Sequence, residues 1–507
     1  MSGSLRRRYA IVGTGARSQL YADALVHEFR ETAELVGFCD VNAARMAHAN
    51  EMIRRSSGTA KVAVPCFSAA RFEEMVRSQR VECVVVCVPD GYHAPYIVRA
   101  LQMGCDAITE KPIATTAAAC NHILDAVEES GRSVRVGFNY RYAPRNSRVK
   151  QILKDGAIGT VLSVHFEWCL DLTHGADYFR RWHRDKRLSG GMMVHKASHH
   201  FDLLNWWLDS LPAVVYGQGR LAFYGDAAAT ARAEDRHDRF ALELDESLRE
   251  LYGPQAVACD GYRRDDDVFG HGITIEDDIA LVVQYASGAT VSYHLACYCP
   301  WEGLRVSFNG SQGRLTYEVV EQTCVAGATS DPNLPQRPLA PTASSDAVKI
   351  VVHRHWEPPV EYPVECTEPG HGGGDARMLR DLFGAHADAV ANDGGGLPSD
   401  DPLGRAADHM AGIAAASVGI AANASFESGR AVRVDELIAL SRPRDSRCRR
   451  LWTSTWAWGW GRRRTAASGS VGTRWPPIIG GNGWTATCGG VAALLLLLTL
   501  ARTWRAA

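Results

Sequence analysis

The chain has 507 residues, of which 46% are hydrophobic and 22% charged, and this length and composition predict two or three globular domains. Its formal net charge of −2 gives no electrostatic reason to expect nucleic acid or an anionic membrane as a partner. None of the 14 cysteines belongs to a CxxC pair, which favours free thiols in a reducing compartment over disulfides or structural zinc. The N-terminus passes from a short basic tip into an apolar run without a signal segment, so we expect a cytoplasmic protein.

Residues 1–138 alternate short apolar runs with helix-like segments, which predicts a Rossmann domain, that is, a doubly wound parallel sheet. Apolar runs without polar alternation indicate strands that are covered on both faces. The runs read YAIVG, ELVGFCD, VECVVVCVP, DAIT and SVRVGFN. The predicted helices lie at 20–29, 43–53, 69–78, 94–103 and 117–129. Such a sheet binds ligands at the carboxyl ends of its strands.

The turn after the first strand has the pattern GxGxxS and opens a predicted helix. A glycine at the first position permits the tight turn, and one at the third lets the backbone approach a pyrophosphate at the helix N-terminus. An ordinary strand–helix turn can carry the same pattern. The predicted cofactor-binding residues of this turn are Gly13, Gly15, Ala16, Arg17 and Ser18.

Asp40 ends the second strand, 22 residues after Ser18. A carboxylate at this point can accept hydrogen bonds from the adenosine ribose and would repel a 2′-phosphate. The position therefore favours NAD over NADP, while Arg45 on the next helix leaves NADP possible. Asp40 can also cap that helix, and the two roles are compatible.

Two further strand ends carry the motifs VPDGYH and EKP. The order GxGxx(small), Asp, VPDxxH and EKP resembles the glucose–fructose oxidoreductase, inositol dehydrogenase and rhizopine-catabolism family, over roughly residues 9–437. The resemblance implies that Pro89, His93, Glu110 and Lys111 border the cofactor. It also implies that Lys111 contacts the substrate near the nicotinamide, and that the chain forms a homo-oligomer.

The segment SGGMMVHKASHHFDLLNWWL continues the resemblance. The family usually has an aspartate four residues before the histidine that is His199 here, but this chain has His195 at that position. The two histidines share a face if the segment is helical, and we expect an acidic residue near 265–267 to orient them. An HxxxH pair can also bind zinc, but Lys196 and the absence of an intervening glutamate argue against a metal site.

Residues 139–440 are predicted to form an α+β domain for substrate binding and oligomerisation, built on an open, mainly antiparallel sheet. Its strands alternate apolar and polar residues, as in DDIALVVQYA, ATVSYHLACY, GLRVSFNG and GRLTYEV. Tyr140, Arg141, Asp202 and His371 are the predicted substrate-binding residues. Packing or turn roles fit these four residues equally well.

Residues 441–507 differ abruptly in composition and are predicted to be a disordered, atypical tail. They hold seven of the 13 tryptophans without any helical or alternating period. The apolar run from 491 to 501 falls short of the roughly 20 residues that a membrane helix needs. We therefore expect no membrane partner.

Together these features predict reversible oxidation of a secondary alcohol of a sugar, cyclitol or polyol, with NAD as cofactor and NADP possible. His199 would transfer the hydroxyl proton, Lys111 would polarise the oxygen, and His195 would line the site. One alternative is a glycosidase that oxidises its sugar transiently with NAD. Another is a non-catalytic NAD(P)-sensing regulator, against which the presence of both Lys111 and His199 argues.

Overall fold

A computed structural model describes most of the chain outside its C-terminal segment. The described residues are 6–57, 63–229, 240, 242, 244, 246–322, 348–364, 371–384 and 401–440. The predicted tail, 441–507, lies outside them. No helix in the described ranges is long and apolar enough to cross a membrane.

The first domain is the predicted doubly wound sheet, with six parallel strands in the order β3-β2-β1-β4-β5-β6. The strands are β1 (Arg7–Val12), β2 (Ala33–Asp40), β3 (Cys66–Ser68), β4 (Cys83–Val86), β5 (Asp106–Thr109) and β6 (Val134–Val136). The chain reverses its direction of winding between β1 and β4, which is where such sheets bind ligands. The edge strand β3 was not predicted, because its single buried residue, Phe67, lies between two exposed ones and forms no apolar run.

Five helices connect these strands close to the predicted positions. They are α1 (Ser18–Val26), α2 (Ala43–Ser57), α3 (Phe72–Ser78), α4 (His93–Gln102) and α5 (Ala117–Ser130). The start of α5 shows how the sequence sets a boundary, because the Thr116 side chain accepts a hydrogen bond from the Ala119 backbone N–H at 3.2 Å.

The second domain contains the predicted open sheet, in the order β14-β13-β12-β11-β7-β10-β9-β8-β15. Its strands are β7 (Val161–Asp171), β8 (Pro212–Arg220), β9 (Asp278–Tyr285), β10 (Thr290–Cys299), β11 (Glu302–Gly310), β12 (Gly313–Gln322), β13 (Val348–Arg354), β14 (Val360–Glu361) and β15 (Val432–Arg433). Among the described pairs of this second sheet, only β7–β10 is parallel. Residues along β9 alternate between buried and exposed, which confirms a sheet with one covered face.

Helices of the second domain precede, interrupt and follow this sheet. They are α6 (Pro144–Lys154), α7 (Leu172–Arg180), α8 (Lys186–Ser189), α9 (Met192–His195), α10 (Ser198–Leu208), α11 (Glu246–Tyr252), α12 (Pro254–Asp260), α13 (Gly374–Phe383), α14 (His409–Ser428) and α15 (Val434–Leu437).

Helix α14 joins the two domains. Its Ile413 packs in the core of the first domain, whereas Val418 and Ala421 belong to the core of the second. Helix α13 also crosses over, because the Phe383 ring meets the Tyr9 ring of β1 edge-on, with ring centroids 5.1 Å apart. These contacts dock the second domain against the first.

Helices α11 and α12 lie in the polar insertion between β8 and β9. They pack against α2 of the first domain. A segment of the second domain therefore reaches the region where β2 ends.

Candidate active site

The turn after β1 forms a backbone cradle. Gly13 has φ of +87°, and a Cβ at this residue would lie 2.6 Å from the carbonyl carbon of Cys87. Only glycine fits at this point, because both the conformation and the space exclude a side chain. The Ser18 hydroxyl, at the start of α1, donates to the Gly15 carbonyl oxygen at 2.7 Å. The cradle and the helix N-terminus behind it fit the pyrophosphate of a dinucleotide.

Asp40 braces this cradle from the end of β2. Its Oδ2 accepts hydrogen bonds from the Thr14 backbone N–H at 2.5 Å and the Thr14 hydroxyl at 2.8 Å. Its Oδ1 accepts from the Asn42 backbone N–H at 2.8 Å. Asn42 itself takes the capping role on α2, since its side-chain oxygen accepts from the Arg45 N–H at 3.1 Å. Asp40 thus braces the cradle from the end of β2, and the cap on α2 that was the other predicted role of Asp40 belongs to Asn42.

Arg17 and Glu110 form an ion pair behind the cradle. The Arg17 Nε lies 2.5 Å from Oε1 of Glu110, and its Nη2 lies 3.1 Å from Oδ1 of Asp375 on α13. Glu110 also accepts hydrogen bonds from the Tyr21 hydroxyl at 2.8 Å and from the Lys111 backbone N–H at 3.2 Å. Burial opposes the charge of Glu110, but Arg17 beside it holds the pKa of this carboxyl below its ordinary value. The pair therefore fixes the backbone that presents Lys111.

His93 ties the VPDGYH and EKP motifs together. Its Nδ1 lies 2.7 Å from the carbonyl oxygen of Pro112, and its Nε2 lies 2.8 Å from that of Val88. The ring is fully buried, and burial lowers the pKa of His93. Pro89 precedes the helical turn Asp90–Tyr92 in the same motif. The two motifs are thus held side by side at the ends of β4 and β5.

Lys111, His195 and Asp90 meet across the domain boundary. The Lys111 ammonium donates to the backbone carbonyl oxygen of His195 at 3.2 Å. The His195 Nδ1 lies 2.5 Å from Oδ2 of Asp90, which follows β4. The orienting carboxylate is thus Asp90 and not a residue of 265–267; Asp265, for example, pairs with Arg263 at 3.1 Å. The VPDGYH motif places Asp90 at the end of a strand, but nothing in the sequence pairs it with His195, 105 positions away.

Burial shifts the pKa values of this group in the directions that suppress charge. It lowers the pKa of Lys111 to about 8, against the opposing effects of Asp90 and Glu110. Burial, followed by the nearby Lys111, lowers the pKa of His195 well below its ordinary value. Burial also raises the pKa of Asp90 well above its ordinary value. At neutral pH His195 is therefore uncharged, and Lys111 is mostly protonated.

His199 lies in α10, separated from His195 by a break between α9 and α10. Its ring stacks on the Tyr140 ring, with centroids 4.4 Å apart and an interplanar angle of 17°. It also meets the Phe138 ring edge-on at 6.1 Å. The ring partners of His199 are thus Tyr140 and Phe138, whereas the ring of His195 contacts Asp90.

Arg141 and Asp202 form a buried bidentate ion pair. The Arg141 Nε and Nη2 donate to the two carboxylate oxygens at 2.7 and 2.5 Å. Arg141 also donates to the Gly404 carbonyl oxygen at 3.2 Å. The pair ties α10 to the helical turn Asn139–Tyr142, and we propose a structural role for both residues in place of the predicted substrate binding. The side chain of His371 lies outside what the structure describes.

Aromatic and imidazole rings surround His195. The nearest is His183, at a centroid distance of 4.3 Å, followed by Tyr178 at 5.6 Å and Trp182 at 5.7 Å. These rings belong to α7 and to the helical turn Trp182–Arg184 that follows it. Within the described residues, no three His, Cys, Asp or Glu side chains converge as a metal site.

The chain matches both domain models of one oxidoreductase family. The model described as an NAD-binding Rossmann fold matches residues 7–138, and the model of the C-terminal alpha/beta domain matches residues 150–333. YteT of Bacillus subtilis (strain 168), which is named as an oxidoreductase, is 34% identical over 385 residues. That alignment covers 72% of this chain and 85% of YteT.

Two further comparisons agree with this match. Inositol 2-dehydrogenase of Rubrobacter xylanophilus is 30% identical over 225 residues, or 43% of this chain and 56% of that enzyme. The crystal structure of an aldose-aldose oxidoreductase from Caulobacter crescentus, complexed with glycerol, aligns with a TM-score of 0.55 at 17% identity. It covers 84% of this chain and 99% of its own, which shows the shared fold.

Proposed function

We propose that this chain, which belongs to the glucose–fructose oxidoreductase, inositol dehydrogenase and rhizopine-catabolism family, oxidises a secondary alcohol of a sugar, cyclitol or polyol. Its two matched domains make it an NAD(P)-dependent oxidoreductase, and the substrate class and the preference for NAD are the proposal. The observation that carries it is the meeting of Lys111 with the Asp90–His195 pair at the ends of β4 and β5.

The cofactor would occupy the ends of the first sheet's strands. Gly13, Gly15 and the N-terminus of α1 would hold the pyrophosphate, and Asp40 would accept hydrogen bonds from the adenosine ribose. We propose NAD as the preferred form, because the Asp40 carboxylate would repel a 2′-phosphate. When bound, the nicotinamide would accept the hydride at its C4 atom during oxidation.

Lys111 would bind and polarise the substrate oxygen. Burial lowers the pKa of Lys111 to about 8, which is still above neutral pH. The ammonium is therefore mostly protonated at pH 7 but can release a proton more readily than an exposed lysine. A cation held beside the reacting oxygen stabilises the negative charge that develops on it. The Glu110–Arg17 pair behind the EKP turn keeps this lysine in place.

His199 would remove the hydroxyl proton during oxidation and return it during reduction. Tyr140 would fix the plane of the His199 ring by stacking on it. His195 would line the same site from the other side of the lysine, in the ring orientation that Asp90 imposes. Family members commonly have a carboxylate in place of His195, and here Asp90 would supply a carboxylate from the other domain.

The rings around His195 support the proposed substrate class. Tyr178 and Trp182 offer apolar faces with polar edges, which suit a compact ring that carries several hydroxyl groups. Lys196, buried with its Nζ 4.7 Å from the centroid of the Trp168 ring, adds a hydrogen-bond donor to the same segment.

We also propose a homo-oligomer that forms through the uncovered face of the second sheet. Tyr216, Val282, Ser292 and His165 lie in one row across β8, β9, β10 and β7. Tyr216 and Val282 are exposed apolar residues in this row. Light scattering would test it, and a monomer at micromolar concentration would contradict it.

The function is tested by incubating the protein with NAD and a panel of inositols, aldoses and linear polyols while NADH is followed by absorbance. We expect at least one substrate to yield NADH, and Lys111→Met to abolish that yield while it still binds NAD. Cleavage of a glycoside with no net NADH would instead support the glycosidase alternative. NADH formation that survives in Lys111→Met would contradict the proposed site.

A further inference from the structure

Asp260, at the end of α12 in the second domain, binds Arg45 of the first domain. The Arg45 Nη1 lies 2.6 Å from Oδ2 of Asp260, and its Nη2 lies 3.3 Å from Oδ1. The guanidinium carbon is 5.3 Å from the ring centroid of Tyr252 and 5.6 Å from that of Tyr262. Arg45 is only 8% exposed. Both terminal nitrogens of the guanidinium are thus engaged by one carboxylate, and two rings of the insertion pack around it.

Arg45 lies close to Asp40, so its ion pair with Asp260 bears on whether the site binds NAD or NADP. Arg45 lies in the first turn of α2, and its backbone N–H donates to Asn42, whose own N–H donates to Asp40. It is the only arginine or lysine between residues 41 and 53. A ribose 2′-phosphate needs a cation next to the end of the second strand. Within this part of the sequence, Arg45 is the residue that can supply it.

Two more contacts show that the insertion is seated on the cofactor turn itself. The Tyr252 hydroxyl accepts a hydrogen bond from the Ala16 backbone N–H at 3.0 Å. The Asn42 side-chain amide donates to the Ala256 carbonyl oxygen at 2.8 Å. Asp260 is therefore held next to the Asp40 loop by the packing of its whole segment.

We propose that Asp260 determines cofactor specificity by holding Arg45 away from the ribose 2′ position. The neutralised Arg45 cannot attract a 2′-phosphate, and the Asp260 carboxylate adds negative charge beside that of Asp40. This inference rests on the NAD preference proposed above. It extends the cofactor site to a residue that lies outside the Rossmann domain.

The test is to titrate wild type, Asp260→Ala and Asp260→Asn with NAD and with NADP, following binding by calorimetry. Both variants should bind NADP about tenfold more tightly or better, the scale of a charge-assisted hydrogen bond to a freed arginine. NAD affinity should change by less than about threefold, since Asp260 does not touch the cradle. Asp265→Ala is the matched control, because Asp265 lies in the same segment but pairs with Arg263. This variant should leave the affinities for NAD and for NADP unchanged.

A double-mutant cycle identifies Arg45 as the freed group. Arg45→Ala alone should barely change NADP affinity, whereas adding it to Asp260→Ala should abolish the gain. A gain that persists without Arg45, an NADP/NAD ratio unmoved in both Asp260 variants, or equal loss of both nucleotides would each overturn the inference. A wild type that prefers NADP would instead overturn the proposed NAD preference, so the two failures are distinguishable.

Discussion

The Nδ1 atom of His195 lies 2.5 Å from Oδ2 of Asp90, although the two residues are 105 positions apart in the chain. The contact joins a turn after β4 of the first domain to the end of α9 in the second. It places a carboxylate beside an imidazole at the point where the commoner family motif has its own aspartate. The sequence departure at His195 is thus matched by a partner from the first domain.

Restoring the commoner residue at this position should therefore damage the enzyme. His195→Asp would place two carboxylates in contact inside the protein, which destabilises the form in which both are charged. We expect loss of turnover and a fall in unfolding free energy that grows as pH rises from 5 to 8. Adding Asp90→Asn should recover part of both losses, as measured by steady-state kinetics and urea unfolding. A His195→Asp single variant with the wild-type rate would contradict the pairing.

The lowered pKa of Lys111 predicts a pH dependence for ketone reduction. The ammonium is present below about pH 8 and is lost above it, so kcat/KM should fall as pH rises through this value. Lys111→Arg keeps a charge that does not titrate in this range and should remove the descending limb, even if the rate is lower. If kcat/KM of Lys111→Arg still falls with rising pH as it does in wild type, the titrating group is not Lys111.

Substitutions of His199 and of Tyr140 should differ in their effects on turnover. His199→Ala should lower turnover by roughly 10²-fold, the usual loss when a general acid–base is removed. Combined with Lys111→Ala, the loss should be less than additive in free energy, because in the proposed mechanism both groups act on one oxygen. Tyr140→Phe keeps the stacked ring and serves as the control, with a change of less than about threefold in turnover. Full activity in His199→Ala would show that the proposed proton acceptor is wrong.

The Arg141–Asp202 pair should matter for stability rather than for substrate affinity. Arg141→Ala or Asp202→Ala leaves one buried charge without its partner, which typically costs about 3–5 kcal/mol of unfolding free energy. The double variant Arg141→Met/Asp202→Leu should recover much of that loss. Chemical denaturation measures both. A rise in KM without any loss of stability would return these residues to the substrate site.

The sequence predicted the features that depend on neighbouring residues. Apolar runs located five of the six strands in the first sheet, and the GxGxxS turn with Asp40 located the cradle. The strand β3 was not predicted, because only one of its residues, Phe67, is buried and no apolar run marks it.

Contacts between distant segments were the part that the sequence could not supply. Asp90 with His195, Arg141 with Asp202 and Arg45 with Asp260 all depend on how the domains and the insertion dock. No local pattern encodes these relations, because each depends on packing over 60 or more intervening residues.

The central claim is that Lys111 and the Asp90–His195 pair act on a substrate bound beside the nicotinamide. Its most direct test is the single-turnover rate of NADH formation in Asp90→Ala at saturating NAD, measured by stopped flow with Asp435→Ala as a surface control. We predict that Asp90→Ala slows this step by roughly 10- to 100-fold with NAD affinity unchanged, and that Asp90→Asn recovers part of the rate because it keeps an acceptor for the His195 ring. A wild-type single-turnover rate in Asp90→Ala would contradict the claim.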